Sequence, residues 1–317
     1  MQNNNHESHS GVAAEGSADR PLAMKVDHVS KNFPVLTGSG GATNKEFCVF
    51  ENVNFDVYQG EFISMIGHSG CGKSTLLNIM AGFDFPTSGG IIVDGKEVAG
   101  PGLDRMVVFQ SFALMPWLTT FDNVKVAVRS AYPDWSREQI DAHTQKYIDT
   151  MGLTGAEKKR PALLSGGMRQ RVGLARAFCV DPKVLLLDEP FAQIDALTRG
   201  VIQDELMRMW AAANATVFMV THDVDEAILL SDRIALMTNG PNAQLAEIIE
   251  VDIPRPRTRQ QMIELPEYTR VRNHILHFLI SHQSKALDGT ESETPEPPLA
   301  GDPLSASPPE ESSVAGS

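Results

Sequence analysis

Short, uninterrupted runs of apolar residues recur along the middle of the chain, separated by longer stretches with helical spacing. The runs at 106–109, 184–187 and 217–220 are typical of strands that are buried on both faces of a parallel sheet. Shorter or alternating patterns predict further strands at 26–33, 47–57, 61–66 and 91–93, the last of which runs into an Asp-Gly turn. Strands that alternate with helices in this way predict an α/β fold.

Helical patterns interrupt this series of strands. Residues 74–81 predict a helix directly after glycine-rich sequence, and the signals between 121 and 178 are mostly helical. Ser136 and Gln139 stand at the spacing of a capping box, in which each side chain binds a backbone N–H of the first turn. We therefore expect an α/β core that is interrupted by a helical insert at about 111–178.

The two ends of the chain differ in composition from its middle. Residues 1–21 are polar and rich in Asn, Ser and Gly, and residues 285–317 are rich in Pro, Ser and Glu. Such segments bury too little apolar area to offset the entropy lost on ordering, so both are predicted to be disordered tails. The folded part is then expected at 22–284, as one domain.

Charge and the distribution of apolar residues limit the classes of partner. The formal net charge of −13 disfavours bulk attraction to nucleic acid, so no nucleic-acid partner is expected. No segment approaches the roughly 18 apolar residues of a membrane span, and the first residues lack the pattern of a signal peptide. Three cysteines, an odd and small number, are typical of a reducing compartment. These features predict a cytosolic protein, unless a partner holds it at a membrane.

Residues 67–74, GHSGCGKS, match the phosphate-binding pattern G-x-x-x-x-G-K-[ST] between a predicted strand and a predicted helix. Backbone N–H groups and the helix N-terminus would surround a triphosphate, and glycines allow the close approach. Lys73 would bridge the β- and γ-phosphates, and the hydroxyl of Ser74 would bind Mg²⁺. The expected ATP-binding residues of this loop are Gly67, His68, Ser69, Gly70, Cys71, Gly72, Lys73, Ser74 and Thr75.

A second candidate site follows the apolar run at 184–187, which ends in Asp188 and Glu189. Ligands of open α/β sheets bind at the carboxyl ends of the strands, where these two carboxylates would lie. Asp188 would hold Mg²⁺ through water, and Glu189 would act as the general base toward the attacking water. Many buried strands end in an acid, but together with the phosphate-binding loop the pair predicts MgATP hydrolysis.

Residues 164–171, LSGGMRQR, resemble the signature sequence of the ABC ATPases. The resemblance implies a P-loop NTPase with a mixed sheet core, an antiparallel β subdomain and a helical signature subdomain. It also implies a dimer in which the signature contacts the ATP that the other subunit holds. The residues expected to make that contact are Ser165, Gly166, Gly167 and Gln170.

The same resemblance gives roles to four further positions. Gln110 looks like the glutamine that binds Mg²⁺ and senses the membrane partner, and His222 looks like the switch histidine that orients Glu189. Asp195 looks like the D-loop aspartate, although the Gln193-Ile194 that precedes it departs from the family pattern. Phe33 stands where the family stacks an aromatic ring on adenine; a place in the core is the alternative.

Two more expectations concern surfaces and thiols. Cys71 lies beside Lys73 near a helix N-terminus, and both features lower the pKa of a thiol, so a reactive thiol that MgATP protects is expected. Cys48 and Cys179 are expected to be unreactive. The segment 111–119 contains five large apolar residues, which are either core or, as in the family, part of the surface that receives a membrane subunit.

Within the ABC ATPases, the segments at 67–89 and 101–119 are similar to those of the nitrate, sulfonate and taurine importers, and 102–106 and 264–279 to those of the nitrate type. The resemblance implies a motor on the cytoplasmic face of the inner membrane, coupled to nitrate or nitrite uptake. Its implied partners are a second ATPase subunit (identical or a longer sibling), two permease subunits and, indirectly, a solute-binding protein. Taurine, alkanesulfonate, bicarbonate or cyanate import and a non-transport ABC ATPase are the alternatives.

Overall fold

The computed structural model describes residues 20–35 and 46–287. The glycine-rich loop predicted after the first strand, 1–19 of the first predicted tail and 288–317 of the second lie outside these residues. The strands are β1 (Leu22–Pro34), β2 (Glu46–Tyr58), β3 (Phe62–Ile66), β4 (Ser88–Val93), β5 (Lys96–Glu97), β6 (Arg105–Val108), β7 (Val184–Asp188), β8 (Thr216–Val220), β9 (Arg233–Met237) and β10 (Leu245–Glu250). The helices are α1 (Lys73–Ala81), α2 (Thr120–Ala131), α3 (Arg137–Thr150), α4 (Gly166–Phe178), α5 (Ala196–Ala213), α6 (Val224–Leu230), α7 (Arg259–Glu264) and α8 (Pro266–Leu287).

The central sheet has the order β10-β9-β3-β8-β7-β6, and all its pairs are parallel except β10 with β9. Alternate residues of each strand belong to two different cores. In β7, Leu185 and Leu187 pack with helices α4 to α6, whereas Val184 and Leu186 pack with α1 and the antiparallel sheet. This burial on both faces is the reason for the uninterrupted apolar runs, and it confirms the predicted parallel strands.

The second sheet is antiparallel, with the order β2-β1-β4-β5, and covers one face of the central sheet together with α1. Its strands include the predicted ones; β1 and β2 are longer than predicted at both ends, and β4 is longer at its start. β4 ends at Val93, and the turn at Asp94 and Gly95, both with positive φ, leads into β5 as the Asp-Gly pair predicts. The antiparallel subdomain that the family resemblance implied is therefore present.

The helical subdomain consists of α2, α3 and α4, so the predicted insert at about 111–178 is helical from Thr120 onward. The capping box of α3 is confirmed: the backbone N–H of Gln139 donates to Oγ of Ser136 at 3.3 Å, and the N–H of Ser136 donates to Oε1 of Gln139 at 2.8 Å. The segment before α2 is a loop, because Phe112 and Ala113 both have positive φ.

The last part of the fold completes the central sheet and packs α7 and α8 against its helical face. α8 extends to Leu287, beyond the expected end of the folded region at residue 284. In the part of the chain that the structure describes, helices of sufficient length are too polar to cross a lipid bilayer.

Gly82 ends α1 with a φ of 80°, and a Cβ added there would lie 2.3 Å from the backbone oxygen of Gly100. Gly95 has a similar φ of 74°, but within the described residues a Cβ there would have no heavy atom within 4 Å. Both Gly→Ala changes cost about 1–2 kcal/mol for the left-handed backbone. We expect Gly82→Ala to lower the free energy of unfolding by about 1–3 kcal/mol more than Gly95→Ala, because backbone must also move.

Urea denaturation of the two variants and the parent protein measures this difference. Equal destabilisation by the two substitutions would contradict the close approach of the two backbone segments at Gly82.

Candidate functional site

Four neighbouring parallel strands bring the predicted site residues to one edge of the central sheet. Met65 of β3 pairs with Val220 of β8, and Val220 pairs in turn with Asp188 of β7. β6 lies beside β7, with Val108 paired to Leu187. Because the carboxyl ends of these strands lie side by side, the loops that follow them form one continuous site, as the sequence predicts.

The phosphate-binding loop (residues 67–73) takes a backbone conformation that requires glycine. Gly70 and Gly72 have φ values of 81° and 96°, and a Cβ on Gly72 would lie 2.6 Å from Cγ1 of Val49. The ammonium group of Lys73 is buried inside the loop and donates to the carbonyl oxygens of Gly67, at 2.7 Å, and His68, at 2.9 Å. The loop thus encloses a positive charge at the carboxyl end of β3.

The helix that follows this loop differs at its N-terminus from α2 to α7. α1 has Gly72 as its N-cap residue and therefore has no side-chain cap. In contrast, a side chain accepts from a first-turn N–H in α2 to α7; these caps are Thr119, Ser136, Ser165, Asp195, Asp223 and Thr258. The first N–H groups of α1 have no acceptor within the helix, so they and the positive helix end suit an anion such as a phosphate.

Ser74 and Asp188 provide a pair of oxygen ligands next to this anion site. The hydroxyl of Ser74 donates to Oδ1 of Asp188 at 2.9 Å. Burial raises the pKa of Asp188, and the bond from Ser74 opposes that rise. Mg²⁺ in nucleotide sites prefers one or two protein oxygens together with phosphates and water, so these residues fit Mg²⁺ carried in with ATP. The described residues hold no cluster of three or more His, Cys, Asp or Glu side chains that would bind a metal by itself.

Glu189 and His222 stand together beside this pair. Nδ1 of His222 lies 3.3 Å from Oε2 of Glu189, and the N–H of Glu189 donates to the carbonyl oxygen of Val220 at 2.9 Å. Glu189 has a φ of 43°, which is unusual for a side chain with a Cβ and often marks a functional position. The carboxylate can accept a proton from a water molecule, and the more exposed imidazole can hold that carboxylate in place.

The signature glycines lie against the start of α5. A Cβ on Gly167 would lie 2.6 Å from Cγ2 of Thr198, and one on Gly166 would lie 3.0 Å from the carbonyl oxygen of Gln193. Ser165 is exposed and caps α4 through the N–H of Met168, at 3.3 Å. Exposed Ser165 at a helix N-terminus suits the predicted contact with an anion from outside the chain.

The expectation for Gln170 is wrong. Its side chain is completely buried, and both of its polar atoms lack a hydrogen-bond partner among the described residues. A side chain enclosed in this way cannot reach a nucleotide on another subunit. The sequence of α4 alone does not predict which face of the helix is buried, because the residues that cover it come from distant parts of the chain.

Among the described residues, the remaining predicted site residues make no hydrogen bond to the side chains of Ser74 or Asp188. Gln110 is exposed, two residues beyond the end of β6. Asp195 accepts from the N–H of Thr198 at 2.9 Å and so caps α5. Phe33 is half-buried in β1, and the ammonium of Lys31 lies 4.8 Å from its ring centroid. His68, Ser69 and Thr75 belong to the loop and first turn described above.

The structure also corrects the expectation for Cys71. The thiol is fully buried, and burial raises its pKa. The nearby charge of Lys73 lowers the pKa, but it offsets only part of that rise. The predicted reactivity rested on the helix end and the lysine, but it did not consider burial of the side chain. Cys179 is likewise buried, with a pKa of about 12, and the pKa of half-buried Cys48 is raised by burial.

Two contacts of the site were not predicted. Nε2 of His68 lies 2.9 Å from the carbonyl oxygen of Leu279, so α8 contacts the phosphate-binding loop. Glu226, four residues after His222, is buried and accepts from Thr221 at 2.6 Å. In the sequence, Glu226 is an acid in the first turn of a helix, a common feature of exposed helices, so nothing marked it as buried.

Comparison with known proteins agrees with this geometry. The profile of the family described as "ABC transporter" matches residues 50–192. The nitrate transport protein NasD of Klebsiella oxytoca is 50% identical over 268 residues, which are 84% of this chain and 99% of NasD. The nitrate import ATP-binding protein NrtC of Synechococcus elongatus is 51% identical over 81% of this chain, but the match spans only 38% of NrtC.

A solved structure has the same fold. The dimeric structure of an ATP-binding cassette in a post-hydrolysis state, bound to ADP and phosphate, superposes with a TM-score of 0.63 and 29% identity. It covers 73% of this chain and 100% of that cassette. Because NasD matches along nearly its whole length and the fold and family profile agree, the chain belongs to the ABC transporter family and is an ATPase of that family.

Proposed function

We propose that this chain hydrolyses MgATP as the motor subunit of an importer for a small anion, with nitrate or nitrite as the transported ion. The observation that carries the catalytic part is the cluster at the sheet edge: the phosphate-binding loop, the Ser74–Asp188 pair and the Glu189–His222 pair. The similarity to NasD, and to the nitrate import ATP-binding protein NrtD at 48% identity over 91% of NrtD, supports the choice of ion.

Each member of the cluster has a distinct part in the proposed reaction. Lys73 and the first N–H groups of α1 would hold the phosphates, and Ser74 and Asp188 would hold Mg²⁺, which would supply charge neutralisation on the phosphate oxygens. Glu189 accepts the proton of the attacking water, and His222 keeps the carboxylate in position. Gln110, at the exposed end of β6, responds to the nucleotide site and to the membrane partner.

The second half of the site comes from another subunit. Ser165 is exposed at the helix N-terminus that it forms with half-buried Gly166 and buried Gly167, and this end suits the γ-phosphate of a partner's ATP. The dimeric form of the superposed cassette supports this arrangement. Hydrolysis would then remove a contact shared by two subunits and favour their separation, which provides the movement for transport. The partner is either an identical chain or a longer sibling of the NrtC kind.

An exposed apolar surface near the site supports docking to permease subunits. Phe83, Phe85 and Trp117 are exposed by 51%, 59% and 66%, and Phe83 stacks on Phe109, the residue before Gln110. Aromatic residues are enriched in protein interfaces, and this surface adjoins the loop that senses the nucleotide. Two permease subunits on the cytoplasmic face of the membrane, supplied with anion by a solute-binding protein, complete the proposed transporter.

A second transported ion is favoured by one comparison. The bicarbonate transport ATP-binding protein CmpC of Synechococcus elongatus is 48% identical over 81% of this chain. Bicarbonate is therefore the alternative with direct support. Taurine, alkanesulfonate and cyanate remain alternatives from the resemblance alone.

The catalytic proposal predicts separable effects of two substitutions. Glu189→Gln should leave ATP affinity nearly unchanged and lower the turnover number at least about 100-fold, because an amide cannot accept the proton. Lys73→Ala should weaken ATP binding about tenfold or more, because a charge-assisted contact to phosphate is lost. Equilibrium binding of a fluorescent ATP analogue and release of phosphate measure the two effects separately. Wild-type turnover in Glu189→Gln would remove Glu189 from the reaction.

The dimer proposal predicts complementation between two inactive variants. Lys73→Ala removes the loop cation, and Ser165→Arg blocks the signature, so neither variant should hydrolyse ATP alone. A mixture should recover part of the activity, because a mixed dimer has one site with an intact loop and an intact signature. Normal hydrolysis by Ser165→Arg alone would show that the signature does not complete the site.

The choice of ion predicts which uptake is lost when the chain is removed from its native cells. Uptake of labelled nitrate should fall to background, and it should return with the wild-type chain but not with Glu189→Gln. Bicarbonate and taurine uptake, measured in the same cells, should not change. Loss of bicarbonate or taurine uptake with nitrate uptake intact would contradict nitrate as the transported ion, but it would not contradict the ATPase proposal.

A further inference from the structure

The loop that carries His222 is attached to α5 by a small buried network. Glu226, Thr221 and Gln203 are each less than 10% exposed. The Oγ1 of Thr221 donates to Oε2 of Glu226 at 2.6 Å, and Nε2 of Gln203 donates to Oε1 of the same carboxylate at 2.7 Å. Glu226 thus connects the residue before His222 to the middle of α5.

The network fixes the backbone on both sides of His222. The backbone N–H of Asp223 donates to Oγ1 of Thr221 at 3.1 Å. Because the hydroxyl of Thr221 gives its proton to Glu226, its lone pairs remain free to accept from Asp223. Oδ1 of Asp223 in turn accepts from the N–H of Glu226 at 3.0 Å. His222 is therefore held between two residues that both bond to Glu226.

A second contact joins the same loop to the same helix. Nη1 of Arg199 lies 3.6 Å from Oδ2 of Asp223, and Nη2 of Arg199 donates to the carbonyl oxygen of Ile194 at 3.2 Å. Arg199 and Gln203 are one helical turn apart on α5, whose N-cap is Asp195. The loop of His222 and the start of α5 are thus linked at two successive turns.

We infer that Glu226 is a positioning residue for ATP hydrolysis, which holds His222 in register with Glu189 and joins the loop of His222 to α5. Glu226 does not contact the reacting atoms; it acts through Thr221. This inference rests on the proposed roles of Glu189 and His222, which lie 3.3 Å apart at the sheet edge. It adds a residue outside the site whose hydrogen bonds determine where the switch histidine stands.

The buried carboxylate also makes this positioning sensitive to pH. Burial raises the pKa of Glu226 from 4.5 to about 7, Asp223 adds to the rise, and Thr221, Arg199 and Gln203 oppose it. The ionisable groups around it are Asp225 on α6, Asp223 and His222 on the loop before α6, Arg199 on α5, Arg259 on α7, Tyr268 on α8 and Glu189 directly after β7. When Glu226 takes up a proton, its carboxyl group competes for the lone pairs of Thr221 that hold Asp223.

The sign of the accompanying stability change follows from the two pKa values. Between pH 4.5 and about 7 the folded protein keeps a proton on Glu226 that the unfolded chain has released. Stability therefore falls as the pH rises through this window and stays level above it. Above pH 7 the ionised carboxylate of Glu226 accepts both hydrogen bonds and holds His222 in place. The same ionisation lowers the free energy of unfolding.

The test compares Glu226→Gln with the parent protein. The amide has the shape of the protonated side chain and cannot accept from both Gln203 and Thr221. We expect ATP affinity to stay within about twofold and the turnover number to fall about tenfold at pH 8.5, because a hydrogen bond to a charged group is lost. As the pH is lowered to 6, the ratio of wild-type to variant turnover should approach one, since the wild-type carboxyl becomes neutral.

The ratio cancels protonation steps that the two proteins share, such as that of ATP. Thr221→Val should have the same effect as Glu226→Gln, and the double variant should be no slower than either, because both remove one interaction. Thr221→Ser, which keeps the hydroxyl, should retain wild-type turnover. Asp225→Asn is the matched control. It removes a carboxylate of the same helix, but this carboxylate accepts from Arg272 and Tyr268 instead. The ratio of wild-type to Asp225→Asn turnover should not change with pH.

Three results would overturn the inference. The first is a ratio of wild-type to Glu226→Gln turnover near one at pH 8.5, and the second is a ratio that does not change with pH. The third is a loss of turnover in Glu226→Gln that is matched by weaker ATP binding and a lower melting temperature. If the wild-type chain hydrolyses ATP and Glu189→Gln does not, any of these results affects Glu226 alone. If Glu189→Gln is fully active, the proposed catalytic site itself fails.

Discussion

The lateral order of the parallel strands determines everything else in this molecule. Because β3, β8 and β7 are neighbours in register, Lys73, His222 and Asp188 leave the sheet at the same edge, although they are far apart in sequence. These central strands are mostly apolar on both faces, with Ser64 of β3 as a buried polar residue, so polar chemistry is concentrated at their ends. The burial that stabilises the fold is thus also the reason that the proposed catalytic groups follow the strands directly.

Charged groups that are buried at such an edge lower the stability of the fold unless they find partners of opposite charge. Lys73 is buried, and its ammonium group donates to two carbonyl oxygens and to the Cys71 sulfur of its own loop. Asp188, for which burial raises the pKa, has Ser74 as its hydrogen-bond donor. In the proposed reaction, a nucleotide with its Mg²⁺ would supply charges of both signs, since phosphate oxygens would pair with Lys73 and the cation with Asp188. The site is therefore organised for an ion pair that arrives as one ligand.

The sequence predicts the parts of this structure that depend on local pattern. The uninterrupted strands, the phosphate-binding loop and the capping box at Ser136 and Gln139 follow from residue type and spacing, and the structure contains all of them. The expectations for Cys71 and Gln170 were wrong for a shared reason. Both depended on exposure, which is decided by residues from remote segments. Motif spacing indicates the chemistry of a side chain, whereas its burial comes from the tertiary structure.

The same reasoning explains why the connection between His222 and α5 was not visible in the sequence. Gln203, Thr221 and Glu226 are ordinary polar residues, and each would be exposed if its element stood alone. They become buried because α5 and α6 pack on the same face of the central sheet, where a polar group must find a partner. A carboxylate that accepts from both elements satisfies this requirement and also joins them. The buried polar contacts between α5 and α6 therefore link the residues proposed to hydrolyse ATP to the helix that Asp195 caps, beside the signature glycines.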